Sequence, residues 1–236
     1  MNNFSPNMLK TFEECPKKYY LKYIEKISIP QKASFFEKGK KIHALAHYYL
    51  RGDDISKLEF ALSTEEKQLW ESLKSNEYFQ KKYVNSEYNL SCRIDDFWIG
   101  GRLDAVVEDV CHSEPSCHPE HRIDLRVSGS LNYYILDYKT GSTPKNPETD
   151  FQTIVYLLAL DSYIKKYSEL SGKPYSITFI YIDLKNNQNH IIEFNDSLKI
   201  QYIKAITDIC TQINTVKDFD KITKKCDYCE FNKICN

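Results

Sequence analysis

The spacing of apolar residues changes period near residue 86, and that switch decides what kind of core the chain can build. Before it, apolar positions recur every three to four residues. Met8, Phe12, Cys15, Tyr19 and Tyr23 do so in the opening segment, and Ile42, Leu45, Ala46 and Tyr49 do so in SFFEKGKKIHALAHYYL, residues 34–50. That period lines one face of a helix. After it, SEYNLSCRI and FWIGGRLDAVV are strand-like and flank Asp95-Asp96, which reads as a hairpin turn. YYILDYKTG (133–141) is a further strand, TDFQTIVYLLALDSYIKKYS (149–168) a helix with a broad apolar face, and SITFIYIDL (176–184) with NHIIEF (189–194) a second hairpin across Lys185–Gln188. A last helix covers 196–216. Helices, strands, helix, strands, helix predicts an α/β fold with a central mixed sheet flanked by helices.

Local punctuation refines the map. Ser5-Pro6 reads as N-cap and first helical residue, Pro16 breaks that helix after Cys15, and Thr64-Glu65-Glu66-Lys67 opens a third helix over 64–82. A chain of 236 residues can bury a sizeable core as one domain, read here as a helical part (1–85), a sheet core (86–195) and a C-terminal helix with a cysteine-rich tail (196–236). Residues 109–131, DVCHSEPSCHPEHRIDLRVSGSL, lack strong periodicity and read as an insertion in the sheet core.

Composition excludes several classes. An aromatic content of 14% is too high for a disordered chain. No apolar run approaches the roughly 20 residues of a membrane span. The opening MNNFSPNMLKTFEEC lacks the basic and apolar regions of a secretory leader, so a cytoplasmic location is expected. In that reducing setting the eight cysteines point to metal ligands or buried thiols before disulfides. A net charge of −1 excludes a simple basic glove for nucleic acid, and leaves room for a local basic groove around an acidic metal site.

The chemistry centres on Asp137-Tyr138-Lys139. Residues i and i+2 of a strand share a face, so this carboxylate and ammonium point into one site. If the preceding strand pairs with this one, Asp104 of GGRLDAVV converges with Asp137 on one hard divalent cation such as Mg²⁺, which takes oxygen ligands. Such an ion polarises a phosphoryl oxygen and acidifies water, and Lys139 would orient that water or stabilise developing charge. Taken alone, Asp-x-Lys reads better as an edge-strand salt bridge.

In company it reads otherwise. GKKIHALAHYYL, GGRLDAVV, ILDYKTG and FQTIVYLLAL, in that order, resemble the PD-(D/E)xK nuclease superfamily. The nearest branch is the RecB-type group, which includes the AddB C-terminal nuclease and the CRISPR adaptation exonucleases. The opening SPNMLKTFEECPKKYYLKYI resembles that branch as well, so the likeness runs from about residue 4 to the C-terminus. It implies a restriction-endonuclease-like core and a Mg²⁺- or Mn²⁺-dependent nuclease. By motif, His43, Asp104, Asp137 and the carbonyl of Tyr138 would be the metal ligands, Lys139 the catalytic lysine, and Gln152 with Tyr156 the Q-x3-Y pair facing site and DNA. On residue type alone, His43 reads as a satisfied core histidine, and His47 one turn later competes with it. Glu87, on the first strand, reads equally as a solvated carboxylate and stays outside the expected site.

The tail KKCDYCEFNKIC spaces Cys226, Cys229 and Cys235 for metal binding, with Cys15 a candidate fourth ligand. Spacing leaves zinc and iron–sulfur open, since both accept four thiolates. The resemblance implies a [4Fe-4S] cluster that ties the N-terminal helix to the tail. Cys111, His112, Cys117, His118 and His121 of the insertion could hold a second zinc, but read better as a polar surface segment, and Cys92 and Cys210 read as buried thiols.

DNA, single-stranded or end-exposed, is the partner this reading implies, with an exonuclease acting in recombination, repair or CRISPR adaptation. Lys17-Lys18, Lys38-Lys40-Lys41, Lys81-Lys82 and Lys224-Lys225 could neutralise phosphates, and Tyr19, Tyr20, Tyr48 and Tyr49 could stack on bases. No P-loop motif is present, so ATP-driven unwinding would need a helicase partner; an integrase is the other partner class. The alternatives are an RNA-directed nuclease and a non-catalytic nuclease-fold module.

Overall fold

Ser5 accepts a hydrogen bond from the Met8 N–H and Pro6 fills the first helical position, so α1 (Pro6–Glu14) starts where its sequence signals place it. The chain is described here by a computed structural model covering residues 3–30, 34–111, 130–168, 174–222, 226–227 and 229–235. Cys15 is extended, and Pro16 restarts the helix as α2 (Pro16–Tyr19), which widens into a π turn at Tyr20–Ile24. α3 spans Ser34–Leu50, α4 Ser56–Phe60 and α5 Thr64–Lys74.

Two of these depart from the sequence reading. The helix expected over 64–82 ends at Lys74, because the Asn76 side chain accepts from the Tyr78 N–H in a local turn. That turn swings Phe79 out of helical spacing and into a ring cluster with Trp70 and Tyr138. α4 lies outside the sequence reading; just ahead of it the Asp54 side chain accepts from the Ser56 N–H and hydroxyl.

The described strands form one six-stranded sheet. β2 (Lys82–Ile94) and β3 (Phe97–Cys111) are a hairpin that turns at Asp95-Asp96, as expected, with Ile94 paired to Phe97. β3 also pairs antiparallel with β4 (Ser130–Lys139) and parallel with the short β1 (Asn3–Phe4). β4 and β5 (Tyr175–Asp183) run parallel, which requires a crossover, and α6 (Phe151–Ser168) supplies it. β6 (Gln188–Glu193) closes the far edge, and α7 (Asp196–Thr215) follows.

The sheet divides the core in two. Ile135, Val106 and Phe179 pack with α1, α6 and α7 on one face. Leu136, Tyr138 and Ile180 pack with α3, Trp70 and Leu73 on the other. The mixed sheet between helical layers matches the expected α/β class. Residues 112–129, with His112, Cys117, His118 and His121, lie outside the described residues, as do Lys224 and Lys225.

Candidate active site

β3 and β4 part company after the Ala105–Leu136 pair. The next residues along each strand are Asp104 and Asp137, so the two carboxylates stand where the ladder opens. Residues from both helical layers reach that gap. His43 comes from α3, and Gln152 and Tyr156 come from α6.

His43 Nε2–H donates to the Tyr138 carbonyl at 3.0 Å, and its Nδ1 lies 3.2 Å from Asp104 Oδ1. Asp104 Oδ2 accepts from the Tyr138 N–H at 3.2 Å. Burial works to lower the His43 pKa, but the Asp104 hydrogen bond and charge, the Asp137 charge and the Tyr138 carbonyl outweigh it, and the net shift is upward.

Asp137 is 1% exposed. Burial first, and then the charge of Asp104, push its carboxyl up to about 7 against the opposing pull of Lys139 and His43. Lys139 Nζ lies 2.6 Å from Asp137 Oδ1, yet that oxygen receives no well-aligned hydrogen bond. The Gln152 amide bridges the pair, donating to Asp137 Oδ2 and accepting from Lys139 Nζ at 3.2 Å. Tyr156 donates to the Arg102 carbonyl at 2.7 Å and pins β3 beside Asp104.

The donor set suits a hard divalent cation. It offers one imidazole, two carboxylates and a carbonyl, and it leaves a buried carboxylate oxygen without an aligned donor. The 3.0 Å between His43 Nε2 and the Tyr138 oxygen is also the separation of adjacent ligands on an octahedral ion with bonds of about 2.1 Å.

Two residues outside the expected set sit in the site. Ligand atoms of His43, Glu87 and Asp104 lie within 4.8 Å of one another, a possible acidic metal site. Arg102 Nε pairs with Glu87 Oε2 at 2.8 Å. Glu87 has φ of +50°, a left-handed backbone that costs a non-glycine residue about 1–2 kcal/mol. The signal for Glu87 was present in the hairpin. Counting back from a turn at Asp95-Asp96 sets Glu87 opposite Asp104.

A cleft of about 670 Å³ opens onto this group, lined by Lys40, His43, Tyr48, Glu87, Arg102 and Lys139 among others. His47 also lines it, but its Nδ1 is 2.7 Å from Ser86 Oγ rather than at the carboxylates. Of the tyrosines considered for base stacking, Tyr19 is core, Tyr49 packs on Trp70 and Phe79, Tyr20 packs on Phe219, and Tyr48 lines the cleft. Lys81 and Lys82 are paired with Asp109 and Glu108.

The four cysteines singled out in the sequence, Cys15, Cys226, Cys229 and Cys235, line a second cavity of about 550 Å³. They do not form a closed knot. No three of their sulfurs lie within 4.8 Å of one another, and all four are free thiols. The expected closure of the two ends by cysteine contacts is therefore not present as such, because each thiol lies on the wall of a cavity. The segments do meet: the Ile222 N–H points to Cys15 Sγ at 3.5 Å, and the Lys17 N–H donates to the Asp220 carbonyl at 3.2 Å. Cys92 and Cys210 are buried, and burial pushes both thiols up to about 12.

Compared with known proteins, the chain matches the sequence model of the PD-(D/E)XK nuclease superfamily over residues 3–112 and 121–236. Residues 113–120, between the matched stretches, fall within the insertion. A curated relative, the CRISPR-associated exonuclease Cas4 of Francisella tularensis subsp. novicida (strain U112), is 27% identical over 116 residues, 48% of this chain and 54% of that protein. The match thus spans about half the length of the relative. The crystal structure of a candidate exonuclease from Eubacterium rectale aligns with a TM-score of 0.54 at 11% identity, covering 98% of this chain and 88% of that one. At that identity the likeness is one of fold.

Proposed function

The chain belongs to the PD-(D/E)XK nuclease superfamily, and from that premise we propose that it is a divalent-metal-dependent deoxyribonuclease, an exonuclease on single-stranded or end-exposed DNA. The observation that carries the proposal is the meeting of His43, Asp104, Asp137, Lys139 and the Tyr138 carbonyl at the point where β3 and β4 diverge.

His43, Asp104, Asp137 and the Tyr138 carbonyl would hold Mg²⁺ or Mn²⁺, with Glu87 at the rim. Bound there, the cation supplies Lewis acidity toward a phosphoryl oxygen and makes water more acidic. Lys139, steered by Asp137 and Gln152, would orient the attacking water and stabilise negative charge growing on the phosphoryl oxygens. Gln152 is a positioning residue, since it holds the ammonium and the carboxylate in one arrangement. Tyr156, committed to the Arg102 carbonyl, positions β3. The likeness to a CRISPR-associated exonuclease supports exonuclease action; the role we propose is recombination, repair or CRISPR adaptation, with a helicase or an integrase as the partner.

Cys15, Cys226, Cys229 and Cys235 would hold a [4Fe-4S] cluster of structural role. Four cysteines lining one cavity suit such a group. Structural zinc, which also accepts four thiolates, is the alternative occupant.

The test is cleavage of end-labelled single-stranded and duplex DNA, and of RNA, by wild type and Asp137→Ala, with Mg²⁺, Mn²⁺ or chelator. Wild type is expected to shorten DNA only with metal, and the variant to leave it intact. A wild type inert with every divalent ion, or a variant of equal activity, overturns the proposal; equal or better cleavage of RNA overturns the DNA assignment.

A further inference from the structure

A second groove lies along the β2–β3 hairpin, away from the cleft that holds His43 and Lys139. Its volume is about 650 Å³, and its polar lining is Asn3, Ser5, Asn89 and Ser91. Among the described residues no charged side chain lines it, so none of them repels a phosphate. Over it stands Trp98, 48% exposed.

The groove and the candidate active site both take residues from β3. Alternate residues of a strand share a face, and here that face reads Trp98, Gly100, Arg102, Asp104. Arg102 lines the cleft, while its cross-strand partner Asn89 lines the groove, so one pair of the ladder contributes a residue to each cavity. No side chain can stand at position 100, because a Cβ there would come within 2.5 Å of the Leu90 carbonyl oxygen. The β2 backbone at Leu90 and Ser91 therefore packs directly against that position. At about 3.4 Å per residue, Trp98 lies about 20 Å along the strand from Asp104.

An indole, a guanidinium and a metal-site carboxylate on one strand face suit one class of ligand. Bases stack on exposed aromatic faces, and phosphates pair with arginine, here in exchange for the Glu87 carboxylate that Arg102 Nε holds at 2.8 Å. We propose that the Trp98 groove is a subsite for a single nucleic-acid strand, in which Trp98 stacks a base several nucleotides from the one at the metal site. The inference rests on the nuclease reading of the cleft and names how that site holds its substrate at a distance.

The chain supplies its own probe. It has two tryptophans, and the other, Trp70, is 1% exposed in the core beneath α3. The experiment titrates a thymidine 12-mer into the full chain with metal chelated, reading tryptophan emission and, in parallel, the anisotropy of a fluorescein-labelled 12-mer. Wild-type emission is expected to be quenched as the oligonucleotide saturates. Trp98→Phe, which leaves Trp70 as the sole emitter, should bind and show no quenching. Trp98→Ala, checked for folding by its melting curve, should bind on the order of tenfold more weakly.

Saturation of wild type without quenching, quenching retained in Trp98→Phe, or unchanged affinity in Trp98→Ala each overturns the subsite. Equal quenching by a 12-base-pair duplex overturns its single-strand character. The readout is taken without metal, so it decides the groove whether or not the protein cleaves. Stacking without cleavage in Mg²⁺ or Mn²⁺ overturns the nuclease reading alone, and cleavage without quenching overturns the groove alone.

Discussion

Lys38, Lys40 and Lys41 sit together near the start of α3, and their partners tell them apart. Lys38 pairs with Glu65 and Lys41 with Glu66, both on α5, whereas Lys40 lines the cleft beside His43 and Lys139. A lysine already matched to a carboxylate gives up that partner to meet a phosphate; Lys40 has no such partner among the described residues. Lys40→Ala should therefore flatten the salt dependence of oligonucleotide binding by about 0.7–0.9 in the log–log slope, one phosphate contact, while Lys38→Ala leaves the slope unchanged. Binding isotherms at several salt concentrations check this, and equal slopes for wild type and Lys40→Ala would refute it. The sequence shows three lysines in a row of four and has no means of ranking them, because the ranking comes from which face of α3 meets α5. Asp137 and Lys139 are the opposite case. Their i, i+2 spacing on a strand already places them together, and the 2.6 Å contact is that spacing realised. Glu87 falls between the two. Its place opposite Asp104 follows from the hairpin turn, but its positive φ and its pairing with Arg102 depend on the folded ladder.

α5 is short, and its start is held by a reciprocal cap. Ser63 Oγ accepts from the Glu66 N–H, and Glu66 Oε2 accepts from the Ser63 N–H at 2.8 Å. Breaking such a cap costs about 1 kcal/mol, so Ser63→Ala should lower the melting temperature by about 2–4 °C in a chain of this size. Calorimetry or circular dichroism measures it. The Glu66 carboxyl is held below its usual range, first by the Lys41 ammonium and then by the Ser63 N–H, against burial. A carboxylate with a depressed folded pKa contributes stability above its unfolded value of about 4.3, and that contribution disappears as pH falls through the folded value. Wild type should accordingly be more stable than Glu66→Gln near pH 7, with the two melting temperatures converging below about pH 4. A gap that stays constant down to pH 3 would show that the ionised form contributes nothing. The start of α5 was legible, since Ser-x-x-Glu ahead of good helix formers is a local signal. Its end was not, because Phe79 leaves the helix to join Trp70 and Tyr138, and Tyr138 lies on a strand some sixty residues downstream.

At the scale of the whole molecule, the first and last segments of the described chain are packed on each other. Phe219 stacks on Tyr19 and meets Phe12 edge-on, the Lys17 N–H bonds the Asp220 carbonyl, and Lys22 faces Glu230 at 3.8 Å. These contacts set Cys15 across a cavity from Cys226, Cys229 and Cys235. The triplet spacing in the tail was readable from sequence, as was the Cys-Pro step after α1. Their approach was not, because about two hundred residues separate them and the fold itself brings them near. A group bound by all four thiolates would close that long loop, and loop-closure arithmetic puts the gain at about 5 kcal/mol, or on the order of 10 °C or more in melting temperature. On the iron–sulfur reading, anaerobically purified wild type is brown, and both Cys229→Ala and Cys15→Ala lose the colour and melt at least about 10 °C lower. The two substitutions sit at opposite ends of the chain, so equal losses mark one shared group rather than two local defects. A colourless wild type that carries zinc would overturn the iron–sulfur assignment and keep the closure. If Cys15→Ala holds its melting temperature while Cys229→Ala does not, the tail binds its metal without the N-terminal segment, and the closure itself fails.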